Sequence, residues 1–302
     1  MLSVSWYRLR ATFGRRWGGY LALVLLIGLV GGLGLGAAAS ARRTQSSYTT
    51  YLASTDPSDL TITIYGLSQG PGYSPTLTQK MARLPHVRSV EAGIILNGFP
   101  LTADGSPRLS TAGQDYPVAS VDGLFFHQDR VTVTQGRMAD PGRPDEIMMT
   151  AAAAHYLGFH LGEVIPYGLY TNTQEGAAGF GTKLVPPKIR IEAKLVGLVA
   201  LSSEIIQDDI DRFPTLIVST PALARKALAN PRQSFTGAAT YGIKVEHGGK
   251  DVGIVEQELA RFIPAGVQST LHATAPVAAK ADRTLKPIAI ALRVHADLQC
   301  QR

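Results

Sequence analysis

The longest uncharged stretch of this sequence constrains its architecture more than any other feature. Twenty-five residues, Trp17 to Ala41, lie between Arg16 and Arg42 and contain no charged side chain. As a helix that rises about 1.5 Å per residue, this stretch would be about 37 Å long and could cross a hydrocarbon core of about 30 Å with some tilt. The sequence therefore predicts a transmembrane helix over residues 19–41.

The net charge of +6 comes from the flanks of this stretch and not from a basic binding face. Six of the 29 basic residues are Arg within residues 1–43, which contain no acidic residue, so the remaining 23 balance the 23 acidic residues. We therefore expect no nucleic-acid partner. Four of the six Arg precede the uncharged stretch, and this bias predicts a cytoplasmic N-terminus at the cell membrane and an extracytoplasmic main domain.

The first eighteen residues are expected to form a helix on the cytoplasmic surface of the membrane, in contact with lipid. Trp6, Phe13 and Trp17 recur at helical spacing. Arg15 and Arg16 stand where the apolar stretch begins. Aromatic and basic residues in this arrangement are typical of an interfacial amphipathic helix.

Small residues within the stretch leave two interpretations open. Gly28, Gly32 and Gly36 repeat every four residues, a spacing that would let other transmembrane helices or a second copy of this chain pack closely. Gly is also frequent in membrane helices that have no such contact. A cleaved signal peptide is a further alternative, because Ala39-Ser40-Ala41 fits the small-residue cleavage rule, although the apolar run exceeds the usual length of about 7–15 residues.

The rest of the sequence predicts an α+β fold built around two β-α-β units. Each unit has a strand of alternating polarity, a helix and a second strand. The predicted elements are strand 59–66, helix 77–84 and strand 87–96, and then strand 240–246, helix 251–262 and strand 266–274. Two such units predict a split, ferredoxin-like or porter-like subdomain formed by residues 44–99 and 239–283.

The region between the two units is predicted to be an inserted, mostly β subdomain, residues 100–238. Its clearest elements are a small-residue helix at 151–157 that ends at Gly158, and a long strand at 188–200. Thr220 and Pro221 form an N-cap and first helical position for a helix that runs to residue 228.

Three groups of residues suggest catalysis or metal binding, and each lacks the spacing that the chemistry requires. Gly176 to Lys183 is rich in Gly, but its Thr precedes the Lys, whereas a phosphate loop needs Ser or Thr after it. The others are an acidic turn and a His-containing segment without HExxH spacing: Asp208, Asp209 and Asp211, and His155, His160 and Glu163. We therefore expect no catalytic residues, no cofactor, no metal site and no enzymatic activity.

A series of short motifs resembles the FtsX-like permease family with its MacB-type extracytoplasmic core domain. The motifs are the turn Gly136 to Glu146, the helix Ala151 to Gly158, the segment Leu161 to Ile165, and Thr220 to Ala224. The resemblance implies a permease subunit of an ABC-type transporter, in which a separate ATPase moves the extracytoplasmic domain for export, lipoprotein release or mechanotransmission.

Two further expectations follow from the comparison with that family. Such permeases have additional membrane helices, and residues 284–302 are expected to be the approach to a second helix that this sequence does not continue. The alternative function is a single-pass, membrane-tethered extracellular binding module without transport activity. A secreted enzyme would require a cleaved signal peptide and a catalytic set.

Overall fold

A computed structural model describes most of the chain. The described residues are 17–19, 21–33, 35–36, 39, 50–51, 53–65, 73–111, 116–202, 215–263 and 267–273. The chain divides into two compact units, one formed by Met1–Tyr51 with Lys280–Arg302 and the other by Leu52–Ala279. We refer to the second as the sheet unit.

The sheet unit contains eleven strands and five helices within the described residues. The strands are β1 (Leu60–Tyr65), β2 (Val87–Leu96), β3 (Gly98–Pro100), β4 (Tyr116–Ser120), β5 (Thr132–Gly136), β6 (Glu146–Thr150), β7 (Val164–Leu169), β8 (Ile189–Ala200), β9 (Leu216–Ser219), β10 (Thr236–Val245) and β11 (Ser269–Ala273). The helices are α1 (Pro75–Met81), α2 (Ala151–Leu157), α3 (Asn172–Glu175), α4 (Pro221–Leu228) and α5 (Gly249–Phe262), with a 3-10 turn at Leu109–Thr111.

The two predicted β-α-β units are present, and their strands interleave. The order β11-β1-β10-β2 runs across one end of the sheet, and every neighbouring pair is antiparallel. Because α1 joins β1 to β2 and α5 joins β10 to β11, this order is that of a split β-α-β fold. Strand β1 alternates buried and half-buried residues, as expected when one face of a strand packs on a core.

The same sheet continues into residues 100–238. Gly93 to Ile95 of β2 pairs with Val118 to Ser120 of β4. From β4 the order is β9, β6, β8, β7 and β3, and β5 pairs with β8 outside this path. The boundaries of the predicted insertion, residues 100 and 238, remain a prediction. The hydrogen-bonded sheet continues across both boundaries.

The sheet carries apolar side chains on both faces where its central strands lie. Met149 belongs to the larger core cluster, with residues such as Ile94 and Val255. Its neighbour Met148 belongs to a second cluster with Val218. Successive residues of a strand point to opposite faces, so β6 is covered on both sides. This is why its sequence reads as a continuous apolar run.

Some elements of the sheet unit have only a weak signal in the sequence. Strand β4 contains Pro117, which cannot donate to a ladder and therefore weakens the strand signal. The short helix α3 lies within a stretch rich in Gly, Thr and Pro, residues 170–187, whose composition is typical of a loop. Thr171 and Gln174 form a reciprocal capping box that stabilises this single turn.

Candidate functional site

The predicted helix-packing residues lie in helical backbone with open space around them. Gly28, Gly32 and Gly36 are helical, and a Cβ atom added at any of the three would meet no other atom within 4 Å. Their surface is therefore accessible to a partner helix, and that contact remains a prediction. Four predicted interface residues, Trp6, Phe13, Arg15 and Arg16, lie outside the described residues.

The apolar side chains of the N-terminal helical segment are exposed on all its faces. Residues 21–33 cover more than three helical turns, and their large apolar side chains are between 43% and 66% exposed. A helix that is apolar all round is normally buried in protein or in lipid. Among the described residues, no helix combines the length and the apolar character that a membrane crossing requires. The predicted span at residues 19–41 remains a prediction.

The chain enters the sheet unit through a hydrogen-bonded contact that we call the N-terminal clasp. The clasp consists of residues 54–58, residues 128–130 and Lys244. Backbone N–H groups of Asp129 and Arg130 donate to the carbonyls of Asp56 and Thr55 at 3.1 and 2.7 Å, and Nη2 of Arg130 donates to the Ser54 carbonyl at 2.6 Å. Asp56 and Asp129 both have positive φ, a conformation that Asp accepts more readily than most residues.

The partly buried carboxylate of Asp129 lies at the centre of the clasp. The backbone N–H of Ser58 donates to Oδ1 of Asp129 at 2.7 Å, and the Ser58 hydroxyl donates to Oδ2. Gln128 is 2% exposed and donates from Nε2 to the Ser58 hydroxyl at 2.8 Å. Its Oε1 accepts from the Ser89 hydroxyl of β2 at 3.0 Å. The clasp is therefore connected to the second strand of the first β-α-β unit.

The third side of the clasp comes from β10. Lys244 forms an ion pair with Asp56. Gly242 lies so close to the clasp that a Cβ atom there would be 2.4 Å from the Ser58 hydroxyl oxygen and 2.9 Å from an oxygen of Asp129. The segment that precedes β1 is thus attached to β10, which pairs with β1, and to β2, the next strand of the split fold.

Burial sets the electrostatics of the clasp. Burial raises the pKa of Asp129, although hydrogen bonds from Ser58 and the charge of Lys244 act in the opposite direction. Burial also raises the pKa of the neighbouring Glu91, whose Oε2 accepts from the backbone N–H of Gln128 at 3.2 Å. Ionisation of these acids therefore opposes folding, and the hydrogen bonds of the clasp offset that cost.

The predicted turn at residues 136–146 is stabilised by a separate ion pair. Both terminal nitrogens of Arg137 donate to the Glu146 carboxylate at 2.7 and 2.6 Å, and the backbone N–H of Asp140 donates at 3.0 Å. The Glu146 side chain is 2% exposed. These hydrogen bonds, first of all those from Arg137, lower the pKa of Glu146 to about 2.

We expect Glu146→Gln to destabilise the protein by about 1.5–3 kcal/mol at pH 7, because the charged hydrogen bonds to Arg137 are lost. The folded pKa of about 2 lies below the unfolded value of about 4.3. The stabilisation is therefore fully present above about pH 4.3 and is lost as the pH falls towards 2. Urea denaturation of both proteins from pH 7 to pH 2.5 measures this difference.

The control for this prediction is Glu192→Gln. Glu192 forms an ion pair with Arg190, and both side chains are more than half exposed. Exposed pairs contribute little to stability, so the control should unfold at nearly the wild-type urea concentration at every pH. If the free energy of unfolding of Glu146→Gln differs from that of the wild type by the same amount at every pH, the assignment of a charged Glu146 to Arg137 interaction is contradicted.

Of the residues that the sequence suggests for metal binding, the described ones, His155, His160 and Glu163, do not form a common site. His160 Nδ1 lies 3.7 Å from Glu163 Oε2, and both side chains are well exposed. His155 lies in α2 and forms no His and carboxylate pair among the described residues. Asp208, Asp209 and Asp211 lie outside the described residues. The glycine-rich segment 176–183 forms turns, where Phe180 packs on Tyr170 with ring centroids 5.3 Å apart.

The structure instead assembles a His and carboxylate cluster that sequence analysis did not find. His86, Glu246, His247 and Asp251 place their ligand atoms within 4.8 Å of one another. The local signal was the i,i+4 spacing of His247 and Asp251. The remote partner His86 becomes a neighbour only through the pairing of β2 with β10.

Comparison with known proteins gives structural likeness without a sequence match. No protein-family model matches the chain, and no curated protein sequence matches it. The structure is similar to the periplasmic region of MacB from Actinobacillus actinomycetemcomitans, with 9% identity and a TM-score of 0.37 over 74% of this chain and 92% of that chain.

Two other solved structures are similar to a comparable extent. The extracellular domain of the noncanonic ABC-type transporter YknZ from Gram-positive bacteria has 8% identity and a TM-score of 0.37, over 70% of this chain and 99% of that one. A domain of a putative permease protein from Porphyromonas gingivalis has 10% identity and a TM-score of 0.35, over 72% and 90%.

Proposed function

We propose that this chain is a permease subunit of an ABC-type transporter, anchored in the cell membrane by residues 19–41, with the sheet unit outside the cytoplasm. The observation that carries the anchor is the exposure of the apolar segment, and the motifs between Gly136 and Ala224 that resemble the FtsX-like family support the permease assignment. Nine large apolar side chains between Leu21 and Leu33 are exposed. Their transfer out of water is worth on the order of 10 kcal/mol, which is as large as the stability of a typical domain.

The charge pattern supports the proposed orientation. All six Arg of residues 1–43 lie outside the uncharged stretch, four before it and two after it. The excess on the N-terminal side favours a cytoplasmic N-terminus. The sheet unit, Leu52–Ala279, carries 18 basic and 21 acidic residues and so has no excess of positive charge, and it would then be extracytoplasmic.

The N-terminal clasp supports a mechanical role for the sheet unit. Residues 54–58 lie between the apolar segment and β1, and they are bonded to β2 and β10 through Gln128 and Lys244. A displacement of the membrane helix would therefore act on β2 and β10 as well as on β1, the strand to which residues 54–58 are covalently connected. In this proposal a separate ATPase drives the displacement, and the chain itself catalyses no reaction.

The anchor is tested with full-length protein in cells. We expect the wild-type chain to stay in the membrane fraction after alkaline carbonate extraction, and Leu25→Arg with Leu26→Arg to release it, because each Arg at a helix centre costs about 2.5–3.5 kcal/mol on insertion. The control is Leu184→Arg, since Leu184 is 78% exposed in the sheet unit. Recovery of the wild-type chain in the soluble fraction, or beginning at Arg42, would contradict the anchor.

The partnership with an ATPase needs a second experiment. We expect the chain, purified from native membranes in mild detergent, to carry ATP hydrolysis that is absent from the Leu25→Arg, Leu26→Arg preparation. Addition of external protease to intact cells should cleave the sheet unit and leave the N-terminus protected. A membrane-anchored, externally accessible chain without an ATPase would instead support the tethered binding module.

A further inference from the structure

Four side chains with metal-ligating atoms meet where β2 begins and β10 ends. Val87 pairs with Val245, so the residues just outside this pair, His86 and Glu246, lie at the same edge of the sheet. The backbone N–H of Glu246 donates to the His86 carbonyl at 2.9 Å. Asp251 lies in the first turn of α5, which starts four residues after β10 ends. The sheet register and the helix start therefore bring the cluster together.

One carboxylate oxygen faces both imidazole rings. Oδ2 of Asp251 is 2.8 Å from Nδ1 of His247 and 3.4 Å from Nδ1 of His86. The Asp251 side chain is only 9% exposed. Nδ1 of His86 is buried and has no hydrogen-bond partner. A buried nitrogen of this kind is uncommon in folded proteins and calls for an explanation.

The chemical types of the side chains suit a cation. Asp251 contributes one carboxylate, whose Oδ2 lies 2.8 Å from Nδ1 of His247. Glu246 adds a second carboxylate at the exposed rim of the cluster. Two imidazoles and two carboxylates supply nitrogen and oxygen ligands of the type that zinc accepts.

The spacing of the atoms also suits a metal ion. Ligand atoms about 2.0–2.2 Å from a tetrahedral zinc ion are about 3.4 Å from one another. The His86 to Asp251 distance of 3.4 Å matches this value. We propose that His86, His247 and Asp251 bind a divalent transition-metal ion of the zinc class, with Glu246 as fourth ligand. The ion takes the place of the hydrogen bond between His247 and Asp251.

Capping of the N-terminus of α5 by Asp251 is a simpler role, and it accounts for only part of the arrangement. Asp251 accepts the backbone N–H of His247 at 3.1 Å, which resembles helix capping, and the N-cap residue Gly248 has no side chain to serve that purpose. Capping explains one carboxylate and one backbone group. It does not explain why a second imidazole, from the turn before β2, places a buried nitrogen 3.4 Å from the same oxygen without a hydrogen bond to it.

The test titrates full-length, tag-free protein with Co²⁺, whose visible absorption reports nitrogen and oxygen coordination, and then displaces Co²⁺ with Zn²⁺. We expect saturation at one equivalent. Affinity should fall at least tenfold in His86→Asn and in His247→Gln, because each removes a ligand. Asn accepts the φ of 65° at position 86, and the His247 side chain is 65% exposed. Both variants should therefore fold, as circular dichroism would check.

The matched control is His160→Ala with Glu163→Gln, which removes another His and carboxylate pair of short sequence spacing. This variant should bind Co²⁺ as the wild type does. The proposal is overturned if the wild-type titration does not saturate, if His86→Asn and His247→Gln bind as tightly as the wild type, or if the control loses affinity to the same degree. None of these outcomes depends on the anchor or on an ATPase.

Discussion

Gly197→Ala is expected to destabilise the sheet unit by about 3 kcal/mol or more, because the new methyl group has no space. A Cβ atom at Gly197 would lie 2.3 Å from the carbonyl oxygen of Arg137, a backbone atom that cannot rotate away. Gly197 pairs with Gly136 of β5. A Cβ atom at Gly136 would in turn lie 2.3 Å from the Val196 carbonyl oxygen. The two glycines permit this close approach of β5 to β8.

Gly237→Ala is the matched control for that variant. Gly237 also lies in a strand, β10, but the nearest atom to its Cβ position is Oδ1 of Asn97 at 3.4 Å, an ordinary contact distance. Its substitution should change the free energy of unfolding by less than about 1 kcal/mol, since the loss of chain flexibility alone favours Ala slightly. Urea denaturation followed by circular dichroism measures both variants. Equal stability of the two would contradict the packing of β5 against β8.

Asp129→Ala should have the second largest effect, with a loss of about 2–4 kcal/mol, because it removes two hydrogen bonds and leaves donors of Ser58 unpaired in a buried site. Asp129→Asn keeps an acceptor for one of these donors and should cost less. The raised folded pKa of Asp129 means that its ionisation opposes folding. The stabilisation by the protonated acid is complete below its unfolded pKa and is lost as the pH rises through the folded pKa.

The pH dependence separates this role from simple packing. Relative to wild type, Asp129→Asn should gain stability as the pH rises from about 3.9, because Asn has no charge to bury. Asp104→Ala is the control, since Asp104 is an exposed residue that bonds only Thr102 and Ser106 in its own turn. Its denaturation midpoint should equal that of the wild type. An Asp129→Ala protein as stable as this control would show that the clasp contributes nothing to folding.

Most elements of the sheet unit could be predicted because their signals are local. Strand β2 has the bounds predicted for it, Val87–Leu96. Helix α4 begins after the N-cap Thr220 with Pro221 in its first turn. Helix α2 ends at Gly158, whose φ of 74° is a left-handed conformation that glycine adopts without steric cost. Caps, Pro, Gly and alternating polarity act within a few residues, so the sequence alone reveals them.

The candidate sites could not be predicted because their members are remote in sequence. Asp129 and Ser58 are 71 residues apart, and no pattern in either segment indicates the other. His86 was not considered as a ligand for the same reason. Strand β4 could not be predicted either, because Pro117 weakens the strand signal of a segment that pairs with both β2 and β9.

The sequence by itself determined the α+β character of this protein, its two β-α-β units and the uncharged stretch from Trp17 to Ala41. These properties depend on periodicity, capping and charge, which are local patterns of the sequence. Only the tertiary structure decided which side chains meet, namely the residues of the clasp around Asp129 and the imidazoles of His86 and His247 with the carboxylate of Asp251. The physical reason is strand register, because the pairing of β10 between β1 and β2 converts distant positions into neighbours.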